Sequence, residues 1–320
     1  MLKDLLDTNK KIFKLVCGAG NECAEDVEKL VTLYSDAGAQ LFDICAKPEI
    51  LYAAKKGIAN SKNKTDRYIC VSVGMKGDPH ILKAGVGENI ELNTEFCENC
   101  SICENICINN AISHGIVNKE RCIGCALCEK KCPQGAISMY ETDIDLKTVI
   151  PELVSIGIDC IELHATSELD ADIWDKWEII NNCYDGVLSI CIDRLNLGNK
   201  QVLARLRKML QKRKPYTTVI QADGIPMSGS DDTFKTTLQA VAMAEIIQDA
   251  DLKCYLLISG GTNSKTAQLA NMCDINYNGI AIGSYARKIV SDYVKKDDFY
   301  KKQVYNKALD IAKNLVGKSK

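Results

Sequence analysis

"GVLSICID" at residues 186–193, followed by "NKQVLARLRKMLQKRK" at 199–214, is the stretch that sets the fold. The first run is short, rich in β-branched residues and apolar on both faces, as a strand buried on both sides is. The second repeats its apolar residues at helical spacing. The same alternation recurs on either side. Strands are expected at "KIFKLVCGA" (11–19), "QLFDICA" (40–46), "RYICVSV" (67–73) and "DCIELHA" (159–165), then at "TTVIQADG" (217–224), "KCYLLISG" (253–260) and "NGIAIGS" (278–284). Helical runs fall between them. "ECAEDVEKLVTLYSDAG" places Val27, Leu30, Val31 and Tyr34 on one face and stops at Gly38, and "DDTFKTTLQAVAMAEIIQDAD" opens on an Asp pair. Eight strands, each followed by a helix, predict an α/β fold of the (β/α)8 barrel type; a doubly wound open sheet is the alternative.

One connection departs from the alternation. About seventy residues separate the third strand, ending near Val73, from its helix "DIDLKTVIPELVSIGI". The expected organisation is a discontinuous barrel, 1–90 and 141–320, with an insert at 91–140. Loops that follow barrel strands open on the C-terminal face, where ligands bind, so the insert is expected over the mouth.

Eight of the seventeen cysteines lie in that insert. They form two units, Cys97-x2-Cys100-x2-Cys103-x3-Cys107 and Cys122-x2-Cys125-x2-Cys128-x3-Cys132, with the same offset at all four positions. "NNAIS" follows the first and "QGAIS" the second. This is the spacing of a bacterial two-cluster ferredoxin, in which three close thiolates hold one cubane and the fourth Cys crosses to the other. Cys97, Cys100, Cys103 and Cys132 are therefore expected on one 4Fe–4S cluster, and Cys122, Cys125, Cys128 and Cys107 on the second. Structural zinc sites pair C-x2-C with a distant second pair, a different pattern. Cys107 is followed by Ile108, where the pattern has Pro. Of the other cysteines, Cys17, Cys45, Cys70, Cys160, Cys191, Cys254 and Cys273 lie in apolar runs and read as small buried hydrophobes.

The barrel mouth offers a second group. "ISGGTNSKTAQLA" (258–270) and "IAIGSYARK" (280–288) each end a strand and begin a helix. Barrels often hold a phosphate there, which makes Gly260, Gly261, Thr262, Gly283 and Ser284 candidate ligands and Arg287 a counter-charge. Plain tight turns are the other reading of these glycines. A polar rim is expected from Asp43, Glu162, His164, Gln221, His80, Asp193, Arg194 and Asp223, the last four of this set with His80 first being the candidates for chemistry. No strand ends in Lys, which disfavours a Schiff-base aldolase.

Composition narrows the partners. Apolar residues make up 46%, charged residues 26%, and the net charge is −2 with no long basic run. Nucleic acid is not indicated, and no stretch of eighteen apolar residues suggests membrane insertion. The opening residues lack a signal-peptide pattern, so a cytoplasmic location is expected.

"GDPH" (77–80), the two ferredoxin units, "QADGIPMSG" (221–229), "SGGTN" (259–263) and "GSYAR" (283–287) resemble the cyanobacterial light-dependent-period iron–sulfur family, LdpA, and its relatives outside cyanobacteria. The opening "KLVCGAGN" and "LFDICAKPEI" are similar too, so the resemblance covers nearly the whole chain. It implies a two-cluster protein, and in cyanobacteria the family reports cellular redox state to the circadian clock. The expected function is electron transfer or redox sensing with a partner protein or a small electron carrier. A flavin-dependent reductase, its FMN phosphate on Gly260, Gly261, Gly283 and Ser284, is the enzymatic alternative. An interaction scaffold with structural clusters is a third.

Overall fold

The computed structural model describes residues 1–18, 23–74, 90–107, 110–119, 121–122, 127–139, 145–166, 170–224 and 231–319. Along the chain run α1 (Leu2–Leu6), β1 (Ile12–Val16), α2 (Ala24–Ala37), β2 (Leu41–Cys45), α3 (Pro48–Asn60) and β3 (Tyr68–Val73). The insert follows with β4 (Ile90–Leu92), α4 (Ile102–Ile106), β5 (Ile112–Ser113), β6 (Ile116–Val117), α5 (Leu127–Lys131) and β7 (Ile137–Met139). Then come α6 (Leu146–Ile156), β8 (Cys160–His164), α7 (Asp170–Cys183), β9 (Val187–Ile192), α8 (Asn199–Leu210), β10 (Thr218–Asp223) and α9 (Phe234–Asp249). The chain ends with β11 (Tyr255–Ser259), α10 (Thr266–Met272), β12 (Gly279–Ile282), α11 (Ser284–Lys288), α12 (Ser291–Val294) and α13 (Lys302–Lys318).

Eight strands close a parallel barrel in the order β1-β12-β11-β10-β9-β8-β3-β2. β1 seals it, pairing with β12 at Ile12↔Gly279 and with β2 at Lys14↔Leu41. All eight are the strands expected from the sequence, each a little shorter than its apolar run. Outward residues such as Phe13, Phe42, Ile69, Ile161, Ile190 and Ile258 pack with the helices into the main core.

The inward residues fall into layers. At the N-terminal end Ile12, Leu41, Tyr68, Cys160, Val187, Val219 and Leu257 form an apolar plug with Leu2 and Leu6 of α1. A five-residue helix is too short to persist alone. Burial of Leu2 and Leu6, worth about 1.5–3 kcal/mol each, holds it there. Tyr255 also donates to Asp7 Oδ1 at 2.6 Å, and Asn278 Nδ2 to the Leu6 carbonyl at 3.3 Å. α1 thus closes the bottom of the barrel.

α13 packs on α2 through Tyr305, and Asp36 gathers three segments there. Its Oδ1 accepts from Ser61 Oγ at 2.6 Å and from the Lys62 and Asn63 amides at 2.7 and 3.2 Å; its Oδ2 accepts from Tyr305 at 2.6 Å. Burial alone would raise this carboxyl, but the bonds from Ser61, Tyr305 and the two amides outweigh it and hold it below the usual Asp range. The stabilisation is therefore present above about pH 4 and fades as pH falls through the lower folded value. Asp36→Ala is expected to cost about 1–3 kcal/mol at neutral pH. Urea titrations at pH 7 and pH 3 check this; an equal loss at both would contradict the assignment.

Candidate functional site

The insert repeats in space as it does in sequence. α5 lies as far along the chain from α4 as Cys122 does from Cys97. β4 pairs antiparallel with β7, Leu92 opposite Ile137, and β5 with β6, Ile112 opposite Val117. After each helix the chain turns through a left-handed residue at the equivalent place, Asn110 (φ 47°) and Gly135 (φ 59°). Glycine takes that conformation freely, and asparagine is among the few other residues that tolerate it. Each turn aims the next amide at a thiol: Ala111 N–H donates to Cys107 Sγ at 3.1 Å and Ala136 N–H to Cys132 Sγ at 3.2 Å. Ile108 lies outside the described residues, and the contacts on either side of it match those of the second unit.

A cavity of about 350 Å³ is lined by Cys97, Cys100, Cys103 and Cys132. Three of these thiols come from the first unit and one from the second, and an amide already points at Cys132. This donor set fits a 4Fe–4S cluster with crossed ligation. Cys122 and Cys128 lie in an apolar cluster with Ile90, Ala111, Ile112 and Ile137, and Cys107 packs against it, as does Cys103 of the first cavity. Their fourth expected member, Cys125, lies outside the described residues. The two sets differ in access: Cys100 is exposed, whereas Cys122 and Cys128 are each 8% exposed. Arg121, beside Cys122, reaches Asp26 in the first turn of α2 at 3.5 Å. Helices start where strands end, so this ion pair sets the insert against the C-terminal face of the barrel.

Above the apolar plug, the barrel interior is polar. Lys14 Nζ lies 2.8 Å from Asp43 Oδ2, 2.7 Å from Glu162 Oε2 and 2.9 Å from Gln221 Oε1. Ser72 donates to Asp43 Oδ1 at 2.5 Å and Ser189 to Glu162 Oε2 at 2.7 Å. Gln221 Nε2 donates to Glu162 Oε1 at 3.2 Å, and His164 Nε2 is 3.5 Å from the same oxygen. Burial opposes every charge here. For Lys14 the two carboxylates outweigh it and keep the ammonium above the usual lysine range. For Glu162, Lys14 and His164 outweigh it and hold the carboxyl well below its usual value. For Asp43 burial wins and pushes it up to about 6. Lys14 was not among the residues expected at the site. Its signal is a lone Lys in an apolar strand, in phase with the inward-facing Ile12. A charged ammonium has no lone pair for a Schiff base.

One layer higher, Cys191 donates its thiol to Asp223 Oδ2 at 2.9 Å. Burial raises the thiol well above its usual range and pushes Asp223 up to about 7. The structure thus brings Asp43, Glu162, His164, Gln221 and Asp223 into the barrel interior. Asp193 is buried and accepts from the Leu195 amide at 2.9 Å. Arg194 turns outward to Asn199 (3.3 Å) and Gln239 (2.8 Å). His80 lies outside the described residues. Among the scattered cysteines, Cys17, Cys45, Cys70, Cys160 and Cys191 are buried as expected, but Cys254 is only partly buried and Cys273 is exposed. Both sit at helix–strand junctions, where the apolar run extends past the packed segment.

Two of the candidate phosphate residues, Thr262 and Arg287, bond within the protein. Gly260 and Gly261 are left-handed (φ 66° and 72°), and a Cβ on Gly260 would stand 2.5 Å from Gly224 N. Thr262 donates to the Ala281 carbonyl at 2.5 Å, and Arg287 Nη1 to the Val16 carbonyl at 2.8 Å. Gly283 is the residue before α11, which Ser284 begins. The neighbouring Asn263 Nδ2 donates to the Asp231 and Thr233 carbonyls at 2.9 and 2.8 Å, tying this turn to the start of α9.

No helix among the described residues is long and apolar enough to cross a membrane. Residues 116–138 match the 4Fe-4S binding domain, which takes in the second cysteine unit. The chain is 28% identical over 297 residues to Light dependent period A of Synechococcus elongatus, covering 88% of this chain and 82% of that protein. Among solved structures, a tryptophan synthase from M. tuberculosis aligns with 99% of this chain and 96% of its own at 9% identity and a TM-score of 0.49. The YdjI aldolase from Escherichia coli K12 aligns with 99% of this chain and 95% of its own at 7% identity and 0.48. Residues 152–318, from α6 through the closing strands to α13, match the Light dependent period A C-terminal domain, and the chain belongs to that family.

Proposed function

We propose that this is an iron–sulfur redox protein whose two 4Fe–4S clusters accept and pass single electrons. Cys97, Cys100, Cys103 and Cys132 hold the first, and Cys122, Cys125, Cys128 and Cys107 the second. The observation that carries the reading is the cavity lined by thiols of both units. The amide donors on Cys107 and Cys132 support it, because N–H···S bonds tune cluster potential. The clusters supply one-electron chemistry; the chain supplies thiolates, amide dipoles and a difference in exposure. The more open set at Cys100 is the contact point for the redox partner, a protein or a small electron carrier.

Protein purified without oxygen is expected to contain about eight iron and eight sulfide per chain. On exposure to air, iron loss should be biphasic, the open cluster decaying first. About four iron per chain, with no second loading on reconstitution, would reduce the reading to one cluster. Loss in a single phase would remove the distinction drawn from exposure.

A further inference from the structure

We propose that Glu162, His164 and Cys191, with the Asp223 carboxylate beside Cys191, form a binding site for one divalent transition-metal ion of the zinc type, inside the barrel at the C-terminal ends of β8, β9 and β10. The site is separate from the ferredoxin-type cysteines and does not rest on the electron-transfer reading.

Strand register brings the ligands together. His164 and Cys191 are direct partners across β8 and β9, so their side chains share the inner face. Glu162 lies two residues before His164 on that face. Cys191 pairs with Gln221 on β10, and Asp223 lies two residues beyond it. Ligand atoms of Glu162, His164 and Cys191 all lie within 4.8 Å of one another, and Asp223 Oδ2 is 2.9 Å from Cys191 Sγ. All four residues are buried, at 0, 7, 0 and 4% exposure respectively.

The second observation is Asp223 itself. Its Oδ1 is buried and has no hydrogen bond of normal geometry among the described residues; the Ser259 side chain gives the carboxyl only its weakest favourable contact. A buried carboxylate oxygen without a donor is costly. Lys14 is engaged by Asp43 and Glu162 one layer below. A divalent cation at this level satisfies the carboxylate that the lysine does not.

The chemistry of the donors selects the ion. One imidazole, one thiol and one carboxylate make a mixed nitrogen, sulfur and oxygen set, with a second carboxylate beside the thiol. Magnesium and calcium prefer oxygen alone. On binding, the ion replaces the proton on Cys191 Sγ, which leaves to solvent, and no electron changes hands. Glu162 binds through Oε1, whose bonds from Gln221 (3.2 Å) and Ser72 (3.4 Å) are longer than those that hold Oε2 to Lys14 and Ser189 (2.7 Å each).

The test uses the full chain with its clusters in place. Anaerobic holoprotein is mixed with one equivalent of Zn2+ and desalted; zinc and iron are then counted, and the zinc X-ray absorption edge is recorded. About one zinc per chain is expected, with a single sulfur at about 2.3 Å and nitrogen or oxygen at about 2.0–2.2 Å. Cys191→Ser should lose the sulfur scatterer and most of the zinc, with iron content unchanged. His164→Gln reads the same site should the serine variant fold poorly. No retained zinc in the wild-type protein, an all-sulfur shell that points to the ferredoxin cysteines, or full retention in both variants overturns the proposal.

Discussion

Replacing Cys132 with alanine is expected to empty the site of Cys97, Cys100 and Cys103, leaving iron at about half the wild-type content. Sequence proximity argues the opposite, because Cys132 ends the unit that begins at Cys122. The structure puts it on the first cavity, beside Cys97, Cys100 and Cys103. A cubane short of one of its four thiolates is exposed to solvent at that iron and is readily lost. Cys107→Ala should act in mirror image on the cluster of Cys122, Cys125 and Cys128. Air decay identifies which cluster remains. The fast phase belongs to the open site, so it should vanish in Cys132→Ala and persist in Cys107→Ala. A fast phase that survives in Cys132→Ala would place each fourth cysteine with its own unit.

Lys14→Met is expected to destabilise the barrel by about 3–5 kcal/mol, the usual consequence of removing one partner from a buried ion pair. Lys14 and Glu162 are 1 and 0% exposed as side chains, so solvent screening is slight. Without the ammonium, Asp43 and Glu162 stay in the barrel with only hydroxyl, amide and imidazole partners. Neutralising both in Lys14→Met/Asp43→Asn/Glu162→Gln should recover much of the loss, because an unpaired charge costs more than a missing pair. Denaturant titration of the single and triple variants measures both. A loss under about 1 kcal/mol in Lys14→Met would assign the network the strength of an exposed pair.

The eight barrel strands were legible because a parallel strand covered on both sides must be apolar and short, and each such run was followed by a helical one. The inner face was read too simply. Lys14, Ser72 and Ser189 point into the barrel, where Asp43 and Glu162 satisfy them, so a strand tolerates them without losing its apolar appearance. Cys191 was read as a hydrophobe, and its burial agrees, but its bond to Asp223 needs a neighbour across the sheet that no local pattern reveals. The iron–sulfur motif was readable from cysteine spacing, and the match of residues 116–138 to the 4Fe-4S binding domain agrees with it. Arg287 read only as a counter-charge; its bond to the Val16 carbonyl, between the two ends of the chain, had no local signal. Long-range partners of this kind are what a linear reading lacks.

The pairing of β1 with β12 also imposes an order in time. Synthesis delivers β1 first, yet its partner on one side is the last barrel strand to emerge. Lys14 waits likewise for Glu162, 148 residues away, and for Gln221, 207 away. The cysteine-bearing segment is complete by Met139, when five barrel strands are still to be made. Local structure forms faster than contacts between distant residues. Iron and sulfide can therefore be delivered to a nascent chain whose barrel is still an open sheet. Ring closure comes last, after the cysteine-bearing module is complete.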